Sequence, residues 1–420
     1  MKPETILFIS QATDIAAGRE IDLCIADGTV IASGSAGTLT APEGAKTIDA
    51  TGLYILPGLF DLHTHISITG KETGYCVAAA AAAARQGGVT GFQCMPNTSA
   101  VLDNGAQITS LMDIAAAQPG ISIVPAGCIS QNCEGEQQAP YDTLRCKGVK
   151  FITDADHIPH NLLMLYRAMK YACELGLTFA LRGDLPQLTE KTYAHPSVTS
   201  YRLGLHGTPS CAEEIGIETI IRLAGDAGAA IHVQTVSTAG GTEIIRRAKN
   251  EGQRITAEAA LHHLIYTHEN IGDYDTNFKT LPPLRDRSDC EALIAAINDG
   301  TIDCIVSDHT PRIPFAKKQD FCSAPHGMIA LDTYLPALYT SLVRPGHIGW
   351  QKLLQACAVR PRQLLGLDVP ELREGSAADF ILFDPEGSTE VTPAMLQART
   401  ENTPLLGTTL HGRVINITEA

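Results

Sequence analysis

The chain contains Tyr54-Ile55-Leu56-Pro57-Gly58-Leu59-Phe60, a continuous apolar run, followed directly by Asp61-Leu62-His63-Thr64-His65. Alternate side chains of a β-strand point to the same side, so His63 and His65 can present two imidazoles to one point in space. Two such nitrogens suit a divalent metal ion. A His-x-His pair alone is a weak signal, but Asp308-His309-Thr310-Pro311 ends another apolar run far downstream. We therefore expect a metal site where these two strands end; the alternative is a pair of hydrogen-bonded histidines in the core.

Short apolar runs alternate with helical patterns across the middle of the chain. The runs cover residues 54–61, 90–97, 122–129, 148–154, 177–182, 230–237, 255–264 and 303–308. Most are separated by segments with helical spacing, such as residues 162–175, 212–227, 241–250 and 290–298. Continuous rather than alternating apolar runs are typical of a parallel sheet that is covered by helices. The pattern predicts an α/β protein with a (β/α)8 TIM-like barrel.

Both ends of the chain show a different pattern. Residues 5–53 alternate apolar and polar side chains, and residues 378–384 and 410–415 do the same. Such alternation is typical of antiparallel strands with one solvated face. We therefore predict that residues 1–54 and 366–420 together form a small composite β-sandwich domain, and that residues 55–365 form the barrel.

Composition narrows the functional classes. The chain has 420 residues, of which 44% are hydrophobic, and its formal net charge is -15. This charge argues against nucleic-acid binding, because no basic surface is available to neutralise phosphates. No apolar run approaches the roughly 20 residues that a membrane span needs, and the N-terminus lacks the pattern of a signal peptide. The cysteines are scattered without a Cys-x-x-Cys motif, so we expect reduced thiols and a cytoplasmic protein.

Further polar residues lie at predicted strand ends, where barrels of this type carry their functional groups. Asp154 could ligate a metal ion or cap the helix that begins near Leu162. Asn97 follows Met95-Pro96 and could contact a substrate or serve as a turn residue. For His262-His263 we favour a structural role, because neighbouring residues on a strand face opposite ways.

Several motifs are shared with a known family. They are Pro57-Gly58-Leu59-Phe60-Asp61-Leu62-His63-Thr64-His65, Gly87-Gly88-Val89-Thr90, Cys94-Met95-Pro96-Asn97-Thr98, Val236-Ser237-Thr238-Ala239-Gly240, Thr256-Ala257-Glu258, His262-His263-Leu264, Asp275-Thr276-Asn277-Phe278-Lys279, Pro282-Pro283-Leu284-Arg285, Asp308-His309 and Asn402-Thr403-Pro404. Through them the chain resembles dihydroorotases of the bacterial type I branch, in the amidohydrolase superfamily, from end to end.

The resemblance implies a fold, a cofactor and a reaction. The fold is a barrel with a composite β-domain, the cofactor is zinc, and the substrate is a small molecule. Family members interconvert carbamoyl-aspartate and dihydroorotate in de novo pyrimidine biosynthesis. The resemblance also implies a homo-oligomer and, for some members, a structural partnership with aspartate transcarbamoylase.

The chain departs from the family where the metal ligands lie. On the fifth strand, Ala-His-Cys-Glu-Asp reads Ala180-Leu181-Arg182-Gly183-Asp184 here, so Leu181 stands at a metal-binding histidine. On the sixth strand, Thr235 replaces a second metal-binding histidine of the family, within His232-Val233-Gln234-Thr235-Val236-Ser237-Thr238. Leucine cannot ligate, and a threonine hydroxyl is a poor zinc ligand beside imidazole. Losing even an indirect partner of a metal can cost about 10–100-fold in affinity, so we expect the second metal position of the family to be lost.

The substrate contacts and the bridging ligand also deserve comparison with the family. Ser67 stands where an arginine grips the substrate carboxylate, and Arg312 stands where a histidine makes another carboxylate contact. Arg312 could compensate for the lost arginine, or it could be a fixed cation beside Asp308. The bridging acid of the family is retained as Asp154, with Lys150 as its rival if that lysine is carbamylated.

The remaining residues predict one zinc ion at most. Three ligands with an open position can still bind one zinc ion and lower the pKa of its water to about 7. We favour a dihydroorotase-like protein with lost or weak activity that acts as a structural partner of aspartate transcarbamoylase. The alternative is an active hydrolase with one zinc ion that acts on dihydroorotate, carbamoyl-aspartate or a related cyclic amide. The predicted roles are metal binding by His63, His65, Asp154 and Asp308, catalysis by Asp308 as general base, and substrate contact by Asn97 and Arg312.

Overall fold

The computed structural model describes residues 6–67, 75–156, 160–397, 400–415 and 417. Its strands within these ranges are β1 (Leu7–Asp14), β2 (Arg19–Ala26), β3 (Thr29–Ser35), β4 (Lys46–Asp49), β5 (Tyr54–Pro57), β6 (Leu59–Thr64), β7 (Val89–Cys94), β8 (Ser122–Pro125), β9 (Phe151–Ile152), β10 (Thr178–Arg182), β11 (Ala230–Gln234), β12 (Ile255–Ala260), β13 (Cys304–Val306), β14 (Phe380–Glu390) and β15 (Thr409–Ile415).

The helices follow the strands of the central region. The α-helices are α1 (Val77–Gln86), α2 (Gly105–Ala116), α3 (Tyr141–Cys146), α4 (Leu162–Leu175), α5 (Pro186–Thr189), α6 (Val198–Arg202), α7 (Ser210–Ala227), α8 (Ala239–Asn250), α9 (Leu261–Ile265), α10 (Arg287–Asp299), α11 (Pro314–Lys317), α12 (Tyr334–Leu338), α13 (Trp350–Leu354) and α14 (Arg360–Leu365). Short 3-10 turns lie at Gln131–Cys133, His268–Ile271, Thr276–Phe278 and Leu331–Thr333, and π-helical turns at Tyr339–Val343 and Gln355–Val359.

The strands β6 to β13 form the predicted barrel. β6, β7 and β8 pair in parallel, and so do β9 to β13 in chain order. Two parallel bridges join these groups, Gly127 to Ile152 between β8 and β9, and Thr64 to His309 between β6 and the end of β13. Each apolar run of the sequence therefore contributes a strand of a closed (β/α)8 barrel, as predicted.

The two termini share one sheet outside the barrel. Its hydrogen-bonded order is β15-β14-β5-β1-β2-β3, with β4 beside β1. The sheet has its own apolar core, in which Ile9 and Leu23 pack with Leu382 from the other end of the chain. The run 54–61 is divided, because β5 joins this sheet whereas β6, after Gly58, belongs to the barrel. Both termini thus build one β-structure, while the domain limits remain a prediction.

Alternation along the barrel strands separates an inner face from an outer face. An inner cluster gathers strand side chains from several parts of the barrel, namely Phe60, Leu62, Phe151, Ala180, Ala260, Cys304 and Val306. On β10, Ala180 lies in this inner cluster, whereas Leu181 packs in the large cluster that includes the helices. Arg182, one residue further, is therefore directed to the inner side at the end of β10. Burying each large apolar side chain contributes roughly 1.5–3 kcal/mol, so this alternation fixes the strand registers.

The helices of the described residues were compared with the requirements of a membrane span. Among the helices there, none combines the length and the apolarity that crossing a bilayer requires.

Candidate metal centre at the barrel mouth

Two histidines and one aspartate converge where β6 and β13 end. Nε2 of His63 lies 3.7 Å from Oδ1 of Asp308, and Nε2 of His65 lies 3.8 Å from the same oxygen. Their potential ligand atoms all lie within 4.8 Å of one another. The closure of the barrel produces this group, since the backbone N–H of His65 donates to the carbonyl of His309 over 2.9 Å. The donor set of two imidazoles and one carboxylate fits a zinc ion.

A buried carboxylate lies behind His63. Nδ1 of His63 is 2.6 Å from Oε1 of Glu258, whose other oxygen is 3.0 Å from Nε2 of His232. Burial alone would raise the pKa of Glu258, but His63 and His232 lower it to about 2. Burial alone would lower the pKa of His63, but Glu258 raises it to about 9. An ionised Glu258 accepts the Nδ1 proton and leaves Nε2 of His63 directed toward Asp308, as in carboxylate–histidine–metal triads.

Asn97 orients the second imidazole. Its Oδ1 lies 2.9 Å from Nδ1 of His65, and its Nδ2 donates to Asp156 over 3.4 Å. Because an amide oxygen only accepts hydrogen bonds, the proton of His65 lies on Nδ1 and its Nε2 has a free lone pair. Burial lowers the pKa of His65 to about 3, so this ring is neutral over the physiological range.

Asp308 lies at the centre of the group in a strained backbone position. Its φ of 47° is in the left-handed region, where a non-glycine residue is uncommon. Burial raises the pKa of its carboxyl to about 7. The turn before it is held by Ser307, whose backbone N–H and hydroxyl both donate to Asp61 on β6. The strain thus falls at a residue whose backbone is fixed from the neighbouring strand.

The histidine pair His262-His263 lies in α9, just beyond the end of β12, and not on a strand as the sequence analysis assumed. Nε2 of His263 is 3.0 Å from the carbonyl of Pro282. Nε2 of His262 instead lies 3.6 Å from Oδ2 of Asp308. Burial, with the neighbouring His263 and His63, keeps the pKa of His262 well below its usual value. The two residues therefore have different surroundings, and one of them faces the candidate metal centre.

Asp154 and Lys150, the two candidates for a bridging ligand, are both placed elsewhere. Oδ1 of Asp154 accepts the backbone N–H groups of Ile129 and Ser130 over 2.9 and 3.0 Å, and Oδ2 accepts the hydroxyl of Ser130. Its oxygens fall within 4.8 Å of the sulfurs of Cys128 and Cys133 rather than in the group around Asp308. Lys150 is exposed and precedes β9, at the opposite end of that strand from the barrel mouth. The geometry thus supports neither residue as a ligand of the centre.

Asp156 and Arg182 meet at the barrel mouth, where β9 and β10 end. Arg182 is buried; its Nη1 lies 3.5 Å from Oδ1 of Asp156, and its Nη2 lies 3.3 Å from Oδ2 of Asp184. Thr235, at the end of β11, has no hydrogen-bond partner for its buried hydroxyl within the described residues. Leu181 faces outward, so the side chain that β10 presents to the mouth is a guanidinium cation. A fixed cation here disfavours a second metal ion.

The predicted substrate contacts Asn97 and Arg312 lie beside His65, but neither lines the neighbouring cavity. Nε of Arg312 donates to the carbonyl of His326 over 2.8 Å, and its charge acts on Asp308 and His65. Ser67 is buried near Ser99. A cavity of about 670 Å³ lies alongside, with Asp156, Arg182 and His326 in its lining. Its volume falls in the range of small-molecule sites.

Glu258 and Asp156 belong to the site but were not among the predicted site residues. Glu258 had a readable signal, since a carboxylate inside the apolar run 255–264 must find a partner when that strand is buried. Asp156 had none, because it lies beyond β9 in an irregular segment whose path the sequence does not define. The motif comparison placed Leu181 at the metal-facing position of β10, so the inward direction of Arg182 was not predicted.

Three comparisons bear on the chain. A model described as the amidohydrolase family matches residues 54–415. A protein named dihydroorotase from Geobacter sp. (strain M21) is 36% identical over 395 residues, which cover 94% of this chain and 92% of that protein. Another dihydroorotase, from Pelotomaculum thermopropionicum, is 35% identical and covers 95% of this chain and 93% of its own length. The crystal structure of a dihydropyrimidinase from Brevibacillus agri NCHU1002 matches with a TM-score of 0.81 and 24% identity, covering 98% of this chain and 93% of that chain. This last likeness bears on the fold alone.

Proposed function

The chain belongs to the amidohydrolase family, as a relative of dihydroorotases, and we propose that it serves de novo pyrimidine biosynthesis with weak or lost catalytic activity of its own. The observation that carries the proposal is the ligand set at the barrel mouth. His63, His65 and Asp308 form a group suited to one ion, whereas Arg182 occupies the mouth at β10.

One zinc ion would be held at the proposed site by His63, His65 and Asp308. A zinc ion with an open position would lower the pKa of bound water to about 7. Glu258 and Asn97 hold the two imidazoles in the tautomers that ligation needs. Asp308 is the proposed general base as the carboxylate beside both imidazoles; without an ion, burial raises the pKa of its carboxyl to about 7.

The proposed substrate contacts are weaker than those expected of an efficient enzyme. Arg312 is the candidate for the substrate carboxylate, and Asn97 for a polar contact beside His65. A bidentate arginine–carboxylate pair is strong because both of its hydrogen bonds are aligned. Nε of Arg312 is already directed at the carbonyl of His326, and Ser67 offers only a short hydroxyl. Weaker binding of the substrate carboxylate and the proposed loss of the second metal ion both support weak turnover.

The test is an assay of the purified chain, loaded with zinc, in both directions between dihydroorotate and carbamoyl-aspartate. We expect turnover far below the range of about 1–10³ per second that is usual for enzymes. Turnover within that range would refute the proposal of weak or lost activity. A catalytically competent dihydroorotase, assayed under the same conditions, is the positive control.

A role as structural partner of aspartate transcarbamoylase is the finer part of the proposal, and the resemblance to family members with that role supports it. Size-exclusion chromatography of the chain mixed with aspartate transcarbamoylase from the same organism tests it. Co-elution at a larger size, with a change in carbamoyl-aspartate formation, is expected. Separate elution at micromolar concentrations would contradict the partnership and leave the metal site unaffected.

An active one-zinc hydrolase of a cyclic amide is the second candidate. It is favoured by the orientation of His63 through Glu258 and by the cavity of about 670 Å³ beside Asp156. About one zinc ion per chain, lost together with turnover in His63→Ala, would support this candidate. A metal-free protein after reconstitution would exclude it.

A further inference from the structure

Cys128 and Cys133 form a pair of buried thiols apart from the candidate metal centre. Their sulfurs lie 3.0 Å apart, and both are free cysteines. A disulfide bond is about 2.05 Å long, so these sulfurs lie only about 1 Å farther apart than bonded ones. A small movement of either side chain therefore allows a bond between them.

The turn between the two cysteines holds them together. Asn132 and Cys133 have φ angles of 55° and 57°, in the left-handed region that non-glycine residues seldom adopt. Such a conformation persists where the surrounding structure fixes it. Here the backbone N–H of Gly135 donates to the hydroxyl of Ser130 over 2.7 Å, and that hydroxyl donates to Asp154 over 2.5 Å. The fold of this segment thus brings the sulfurs together independently of any contact between them.

A metal ion shared by the two sulfurs is the alternative, because a carboxylate oxygen of Asp154 lies within 4.8 Å of both. Two thiolates on a tetrahedral zinc ion, with bonds of about 2.3 Å, lie roughly 3.8 Å apart. The observed separation of 3.0 Å is well below that spacing. Both oxygens of Asp154 already accept hydrogen bonds, from Ile129 and Ser130. The geometry therefore favours a bond between the sulfurs over a metal ion.

The two sulfurs differ in access. Cys133 lines the cavity of about 670 Å³ together with Asn132 and Gly135, whereas Cys128 is not part of this lining. The relative exposure is 5% for Cys133 and 0% for Cys128. The hydrogen bond with Cys133, together with burial, raises the pKa of Cys128. A small oxidant in the cavity should therefore reach Cys133 first, while Cys128 keeps its proton behind it.

We propose that Cys133 and Cys128 are a redox modification site, which a hydroperoxide in the cavity oxidises to a reversible disulfide. The thiolate of Cys133 attacks one oxygen of hydrogen peroxide, which forms a sulfenic acid and releases hydroxide. The sulfur of Cys128 then attacks the sulfenic sulfur, so the S–S bond forms, the S–O bond breaks, and the departing hydroxide takes up a proton as water. Together the two thiols lose two protons and two electrons, and the peroxide becomes two water molecules. A dithiol reverses the change by exchange, and the assignment does not depend on the proposed activity.

The first experiment treats the reduced, full-length wild-type chain with hydrogen peroxide. Alkylation under denaturing conditions and mass spectrometry with fragmentation then locate the products. We expect a crosslink between Cys128 and Cys133, with the loss of two hydrogens and reversal by dithiothreitol. The exposed Cys211 provides the control, since Cys211→Ser should retain the crosslink. If Cys128 and Cys133 remain free thiols under conditions that oxidise Cys211, the proposal is overturned.

The second experiment tests the order of the steps with single variants, and the wild-type measurement covers the case in which they fail to fold. In Cys128→Ser the sulfenic acid of Cys133 lacks its partner, so it should accumulate and be labelled by dimedone. In Cys133→Ser we expect the label to be lost from this segment. Equal labelling of Cys128 and Cys133 in the two variants would overturn the assignment of Cys133 as the first sulfur. Zinc that protects both thiols of the reduced chain from alkylation would identify a metal site and overturn the disulfide.

Discussion

Nδ1 of His63 lies 2.6 Å from Oε1 of Glu258, and both side chains are buried. This contact links a residue at the end of β6 to one in the middle of β12, and it fixes which nitrogen of His63 faces Asp308. The carboxylate makes the imidazole a better ligand by accepting its other proton.

Replacing Glu258 by glutamine should weaken zinc binding. The amide oxygen can still accept a proton from His63, but the negative charge that favours ligation is lost. We expect a loss of about 10–100-fold in zinc affinity, measured by chelator competition. The exposed Glu251→Gln is the control and should leave the affinity unchanged. An unchanged affinity in Glu258→Gln would show that Glu258 has no influence on the centre.

Zinc affinity should rise with pH. The pKa of His63 is raised to about 9, where Glu258 outweighs burial, and burial raises that of Asp308 to about 7. Ligation needs a neutral imidazole and an ionised carboxylate, so bound protons compete with zinc on the acidic side of each pKa. The logarithm of the affinity should rise by about two per pH unit below pH 7, by about one from there to pH 9, and then level off. Chelator competition at several pH values measures this profile. A flat profile from about pH 6 to pH 9 would contradict the raised values.

Lys279 should anchor the segment that borders the cavity. Its Nζ donates to the carbonyls of Phe321, Cys322 and Ala324 over 2.7, 2.8 and 2.5 Å. Lys279→Met keeps most of the volume but leaves these carbonyls without their donor, at an expected cost of about 1–3 kcal/mol. Denaturant unfolding measures the cost, and proteolysis reports loosening of residues 321–324. The exposed Lys318→Met should change neither, and equal stability of both variants would exclude the anchoring role.

Two glycine-to-alanine substitutions should change the stability of the protein in opposite directions. A Cβ at Gly87, just after α1, would lie 1.7 Å from the carbonyl oxygen of Leu331, so the backbone must shift. Overpacking of this kind costs about 1–3 kcal/mol. A Cβ at Gly225, inside α7, meets only Gln253 at 3.4 Å, and alanine there should stabilise by about 0.5–1 kcal/mol. Thermal unfolding compares the two variants. A stable Gly87→Ala would mean that α1 and Leu331 are not in close contact.

The barrel could be predicted because its signals are local. Each strand is an apolar run bounded by polar residues, and α4 is predicted at residues 162–175, the bounds that it has in the structure. The division of residues 54–61 could not be predicted, because the chain is continuously apolar from Tyr54 to Phe60 across the junction of β5 and β6. Only their pairing, β5 with β14 and β6 with β7, assigns them to different sheets.

The candidate site divides in the same way. His63 and His65 come from one short motif, and Asp308 lies at the polar end of a second apolar run. Their convergence could therefore be predicted. Asp154 and His262 could not be placed from sequence. The capping of Ser130 by Asp154 and the start of α9 at Leu261 depend on loop paths that local patterns do not specify.

Sequence alone determined the barrel, the shared sheet of the termini and the pair of histidines beside Asp308, because each follows from the period of apolar residues along a strand. Tertiary structure decided that Arg182 rather than Leu181 faces the mouth, that Asp154 is engaged elsewhere, and that His262 approaches Asp308. The reason is physical: periodicity tells which residues are buried together, but strand register and loop path decide which atoms meet, and ligation depends on distances of a few tenths of an ångström.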